Sequence, residues 1–499
     1  YLAMPDRKLG EAPVFNSPDE SANYLFANNF IHTGKFIYDD IFAVASGGYS
    51  LPRSMQVVFS RVTPTAFIGQ PLIFGNLGKI VGQVWVPFLT PMFMALALVV
   101  LYFSLLVNYG KKFSWLATIF VLINPVWLYS AVRPMMTTGL FISFVVLALS
   151  FFLLSIKYQR SVFYALTGAA FGLALLVRIS EAVWLIPLAL LLVIIYRKKV
   201  YWLGLIVSFL CILPSLALIG TYNYKHFASP WQFGYNNVSV SASSSFIKTM
   251  LFPFGVDLIK AWHHFYNYIV LMFPLWSVLT IIALIFLIYN FYKSKKNENW
   301  IYLALAMTLI GYLIIYYGSW TFFDNPKQLV TIGSSYLRYF LPITLISAPL
   351  IAYVLIKIKD KKIFFIVSLL TVIILTFSSY YAVWRGKDEG VMAMKKTLIE
   401  YKEVRQQILQ QTPAGSIIIA GRMDKVIYPY RRVYSTQVDW SLVAKYLGPR
   451  TPVYLLSKEL SESEQVLKQN EIQDYNLEIK AGTKLTDNFY IYPIIKVNE

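Results

Sequence analysis

Cysteine is almost absent from this chain. The single Cys211 lies inside an apolar run, so neither a disulfide framework nor a thiolate metal site is open to the protein. Histidine is nearly as scarce: His32, His226, His263 and His264 are the whole supply, and no two have the spacing of a zinc-protease helix. His263 and His264 sit among aromatics in KAWHHFYNY, with nothing to supply a fixed third ligand, so the metal set reads as none and a divalent ion has no support. Charge is thin at 14% of residues, and acid is the thinner half, with 25 Asp and Glu against 44 Lys and Arg. No phosphate-cradling glycine pattern and no internal repeat occurs. These absences exclude disulfide-stapled domains, thiol redox enzymes, P-loop nucleotidases and solenoids. The sequence begins at Tyr1 and not at Met, so it reads as a fragment whose start lies upstream, and it shows no signal peptide.

What the chain has is apolar length. It is 57% hydrophobic and 17% aromatic, with mean hydropathy +0.56. Repeated runs near the length that crosses a bilayer predict a polytopic α-helical membrane protein. Ten candidate spans read as roughly 87–108, 115–131, 137–156, 162–178, 180–196, 201–222, 268–292, 300–317, 337–356 and 363–384, with 162–196 open to being a pair of half-length or tilted helices.

The net charge of +19 does not call for a nucleic acid, because Lys and Arg gather in alternate loops. Lys111–Lys112, Lys157 with Arg160, Arg197–Lys199, Lys293 with Lys295 and Lys296, and Lys357 through Lys362 occupy every second connection, which makes those five cytoplasmic. Residues 1–86, 223–267, 318–336 and 385–499 then fall on the outer face, away from nucleotide pools. Three parts follow: 1–86, a first outer segment with interfacial helices; 87–384, the transmembrane domain; and 385–499, a small extracytoplasmic α/β domain. In the last part, 391–411 reads as a helix, Gly415–Ala420, Pro452–Leu456 and Phe489–Val497 as strands, and 460–470 as a helix.

The chemistry-bearing residues collect on the outer side. Asp19 and Glu20 stand at the start of a helix through Tyr24, Leu25, Phe26 and Phe30 that Gly34 stops, with Asp19 and Ser21 as possible N-caps and one apolar face turned to the interface. The pair is either a cap and solvated turn or a place where a carboxylate takes a proton from a hydroxyl. Asp39–Asp40 reads as a turn. Arg53, Arg133, Lys225, Lys327 and Arg338 are basic residues on the same side. Arg338 stands at a span mouth between Tyr336 and Tyr339, where a guanidinium can clamp a partly desolvated anion. Arg178 and Glu181 are spaced to pair with each other.

The run PDESANYLFANNFIHTGKF resembles the first outer loop of lipid-linked-sugar glycosyltransferases of the GT-C type, among them the family 39 protein mannosyltransferases and the aminoarabinose transferases of lipid A. The Gly168–Arg178 run, the segment YNYKHFASPWQFGY and SSYLRYFLP are similar in order and spacing. The resemblance implies a GT-C-like fold, a donor sugar on a polyprenyl phosphate, Asp19 as the base that activates the acceptor, and one more span before residue 1. It is incomplete at two places. FIGQPL has Gln70 where many members have Lys, and no Asp stands near Thr137–Thr138. The missing Lys shifts the phosphate contacts toward Arg53, Lys327, Tyr336 and Arg338.

The reading is therefore an inverting hexosyl- or pentosyl-transferase of the cell membrane. It moves a sugar from a polyprenyl-phosphate donor to a hydroxyl on a glycan, lipid or protein acceptor at the extracytoplasmic face. Membrane lipids are its other partners, and no nucleic acid is implied. Asp19 and Glu20 are the candidate catalytic pair. The alternative is a lipid or solute transporter or flippase, which calls for midplane charges and broken helices.

Overall fold

The computed structural model describes residues 13–234, 251–294, 297–322, 329–435, 438–448 and 450–497. The chain divides into two compact units, one made of Tyr1–Val86, Tyr222–Val238 and Met394–Glu499, the other of Pro87–Thr221 and Ser239–Ala393.

The first unit opens on α1 (Pro18–Thr33). Its N-cap is Ser17, two residues before the Asp19 and four before the Ser21 expected from sequence. Pro18 explains the shift, since its fixed φ suits the first helical position and it has no N–H to leave unsatisfied there. Gly34, at φ 72°, ends the helix in the left-handed conformation. Glu20 through Ala27 are buried around the whole circumference, so α1 is a core helix and not an interfacial one. It packs against α3 (Gly69–Val81) and the short helix Asp424–Ile427. Between α1 and α3 lie α2 (Ile41–Ala45) and a hairpin, β1 (Met55–Val58) antiparallel to β2 (Arg61–Pro64). Strands of four residues are too short to show alternation, so the sequence reads this region as loop.

The same unit holds a six-stranded sheet of β3 (Ile417–Ile419), β4 (Arg432–Tyr434), β5 (Val453–Ser457), β6 (Leu477–Ile479), β7 (Thr483–Lys484) and β8 (Tyr490–Lys496). The order is β4-β3-β5-β8-β6, with β7 also on β8; β3 runs parallel to both neighbours and β8 antiparallel to its own. The three strands expected from sequence are β3, β5 and β8, the three consecutive central ones. The sheet core contains Phe42 of α2 beside Ile417, Tyr434 and Val443, with Arg432 over the Phe42 ring at 4.5 Å. The first segment and the C-terminal domain, expected as separate parts, are therefore one packed body: an apolar ring from residues 1–86 completes a core that 385–499 leaves open.

The second unit is helical. Seven helices among the described residues are long and apolar enough to cross a membrane: Gln83–Tyr109, Thr137–Tyr158, Trp202–Phe227, Pro274–Lys293, Trp300–Gly318, Ser335–Leu355 and Lys361–Arg385. Two further pairs are bent, Lys111–Leu122 with Pro125–Ala131 by 59° and Ser161–Val177 with Ile179–Ile195 by 116°, giving up to nine among the described residues where the sequence reads ten. The arms of the second pair are each shorter than the ~20 residues a span needs. Gly168 has a packing role: a Cβ there would lie 2.0 Å from the Ser208 carbonyl oxygen, so only glycine lets Ser161–Val177 meet Trp202–Phe227.

Candidate active site

Asp19 is half-buried at the second position of α1, and the hydroxyl of Ser54 donates to its Oδ1 at 2.5 Å. Its neighbour Glu20 does something else. It is 2% exposed and turns back to accept the Ser17 N–H at 3.3 Å, while the Asp19 N–H donates to Ser17 Oγ, also at 3.3 Å. This reciprocal capping box fixes the first turn of α1. The hydroxyl of Tyr38 donates to the Leu25 carbonyl at 2.5 Å, and burial pushes it far above the usual phenol range, so it stays a donor. Asn23 donates to Gln70 at 3.3 Å in a buried amide pair, which is the local role of the residue that stands where the resemblance expects Lys.

Ser54 is held tightly. Its φ is 69°, a left-handed conformation that costs a non-glycine residue energy, and its carbonyl accepts from Thr65 N–H at 3.1 Å. The preceding Arg53 is gripped by Asp424. Its backbone N–H and its Nε donate to Asp424 Oδ2 at 2.8 and 3.0 Å, and its Nη2 donates to Oδ1 at 2.8 Å and to the Arg422 carbonyl at 3.1 Å. Asp424 is fully buried. Arg53, expected from sequence to contact the donor phosphate, is half-buried, and its guanidinium is paired with a carboxylate from within the same unit. Next to Asp424, Lys425 donates to the carbonyl of Asn16, the residue before the cap of α1.

The second unit has its own polar cluster. Arg178 pairs with Glu181 at 2.7 Å, as their spacing implied. The Tyr317 hydroxyl donates to Glu181 Oε1 at 2.5 Å, and the Trp184 indole N–H donates to Oε2. The Arg178 guanidinium lies 4.7 Å from the Tyr339 ring centre, and Tyr339 stacks on Tyr317 at 4.4 Å. Arg338 lines a small cavity together with Thr138, Phe141, Arg178, Glu181 and Tyr339. That lining holds two guanidiniums and one carboxylate. The Arg338 side chain donates to Ser335 and reaches Met136 Sδ at 3.7 Å.

Tyr336 is buried, and its hydroxyl donates to the Trp320 carbonyl at 2.6 Å. Its ring stacks on His264 at 3.9 Å. That O–H proton is given to the backbone. Lys327 lies outside the described residues. Asp40 caps α2, accepting from Phe42 and Ala43 N–H at 3.0 Å each, the turn role read for it. No group of three or more metal-ligating side chains occurs among the described residues. Ser54, Asp424 and Tyr317 escape the sequence reading. The string LPRS flags only its arginine, and a lone Asp or Tyr gives no pattern.

No protein-family model and no curated protein matches this chain. Solved structures do. The chain is similar to ArnT from Cupriavidus metallidurans in the apo state, with TM-score 0.54 at 11% identity, covering 96% of this chain and 94% of that one. It is also similar to the same protein bound to undecaprenyl phosphate, with TM-score 0.52 at 12% identity and the same coverage. The likeness is one of fold: this chain is a polytopic helical membrane protein of GT-C-like architecture with a small C-terminal sheet region.

Proposed function

We propose that this chain is a polyprenyl-phosphate-dependent membrane glycosyltransferase acting at the extracytoplasmic face. The observation that carries the reading is the fold likeness over 96% of the chain to a protein solved with undecaprenyl phosphate. In this reading the Asp19 carboxylate takes the proton of an acceptor hydroxyl. The acceptor oxygen forms its bond to the sugar C1 as the C1–O bond to phosphate breaks, and the electron pair leaves with the lipid phosphate. One displacement inverts the anomeric centre, so a second carboxylate nucleophile has no part in it. Glu20 shapes the helix start. Arg338 neutralises phosphate charge. Lys327 keeps the phosphate-contact role read from the sequence, and Arg53 and Tyr336 act as supports.

The test is incubation of purified protein with radiolabelled polyprenyl-phosphate hexoses and pentoses and a membrane lipid extract. Label is expected to leave the donor only with active protein. A second reading, a lipid or solute transporter, is favoured by one observation, the 116° bend with a buried ion pair at its corner. Lipid movement across vesicles without transfer of label would select it.

A further inference from the structure

Asp424 lies 371 residues from Arg53 in the chain, yet it is fully buried against that residue's backbone and guanidinium together. The next residue after Arg53 is Ser54, the donor to Asp19. The next residue after Asp424 is Lys425, which holds the Asn16 carbonyl just ahead of the α1 cap. One turn of the C-terminal domain thus grips the Asp19 segment on both sides. A tie that served stability alone would need neither contact to abut the carboxylate.

We propose that Asp424 is a positioning residue for Asp19, acting through Arg53 and Ser54. The proposal rests on the transferase reading with Asp19 as its base. Asp424 fixes the Arg53 backbone and so holds Ser54 in its left-handed conformation, where the hydroxyl can orient the Asp19 carboxylate. Loosening that chain lets the base sample unproductive rotamers, and misplacement near 1 Å costs on the order of 100-fold in rate.

The experiment uses the purified full-length chain, radiolabelled undecaprenyl-phosphate sugars and a lipid extract as acceptor. Asp424→Asn is expected to lower kcat about 10- to 100-fold, while undecaprenyl phosphate binding stays at the wild-type level. In an Asp19→Asn background the same change is expected to cost nothing further. Ser54→Ala, which leaves the Arg53–Asp424 pair whole, is expected to lower kcat in the same direction and decides the matter where Asp424→Asn does not fold. An equal proportional loss with and without the Asp19 carboxylate overturns the proposal, as does wild-type kcat in Ser54→Ala. Wild-type protein that transfers no label overturns the transferase reading and this proposal with it. Transfer that Asp19→Asn abolishes, but neither Asp424→Asn nor Ser54→Ala lowers, overturns this proposal alone.

Discussion

Asp19 and Glu20 are adjacent in the chain and face opposite tasks: Glu20 reaches back to the Ser17 N–H at 3.3 Å, and Asp19 reaches across to the Ser54 hydroxyl at 2.5 Å. The two carboxylates therefore predict different losses. Asp19→Asn keeps shape but cannot take a proton, and transfer is expected to fall by about two to four orders of magnitude with folding intact. Glu20→Gln weakens the cap, with about 1 kcal/mol lost in stability and little in turnover. Transfer rates beside thermal unfolding of both variants separate the roles. Normal transfer in Asp19→Asn with none in Glu20→Gln would reverse the assignment.

Arg338 carries a second prediction. Arg338→Ala is expected to raise the transfer barrier by about 2–4 kcal/mol, as loss of a charge that stabilises a leaving phosphate does in a dry site. Arg338→Lys keeps charge but loses the planar fork and should fall between. Steady-state rates with saturating donor provide the measurement, and a wild-type rate in the alanine variant removes Arg338 from the mechanism.

His264 predicts a pH effect on stability. Burial lowers its pKa below the usual histidine value, with a Gly318 carbonyl opposing and His263 and Lys260 adding to the shift. Its Nδ1–H donates to that carbonyl at 2.7 Å. The unfolded chain then binds the proton more readily than the folded one. This contribution is present above the unfolded value of about 6.5 and is lost as pH falls toward the folded value. The melting temperature should drop on acidification through that window, and His264→Gln should flatten the drop. An unchanged slope in the variant would show that other groups set it.

The alternating basic loops predict the sidedness. In a Cys211→Ala background, cysteines placed at the exposed Ser60 and Ser461 should react with an impermeant maleimide in intact cells, and one at Lys199 should not. Protection of Ser60 or Ser461 would place the polar unit inside and defeat the extracytoplasmic reading.

The sequence by itself determined the class of the protein, the positions of most spans and the three central strands of the sheet. Each follows from composition along one short stretch: an apolar run of bilayer length, or a run such as Ile417–Ile419 that water cannot accept. Gly34 and Asp40 were legible for the same reason, since caps and turns are set by the residues beside them. Tertiary structure alone decided which charges are already answered. The pairing of Arg53 with Asp424 is seen only in the fold, and Phe42 looked like loop until it filled the sheet core. The corner at Arg178 reads from sequence as two spans or as a pair of half-length or tilted helices, and its 116° bend is seen only in the structure. The reason is physical. Desolvation makes a buried charge or ring depend on whichever group packs over it, and that group comes from hundreds of residues away.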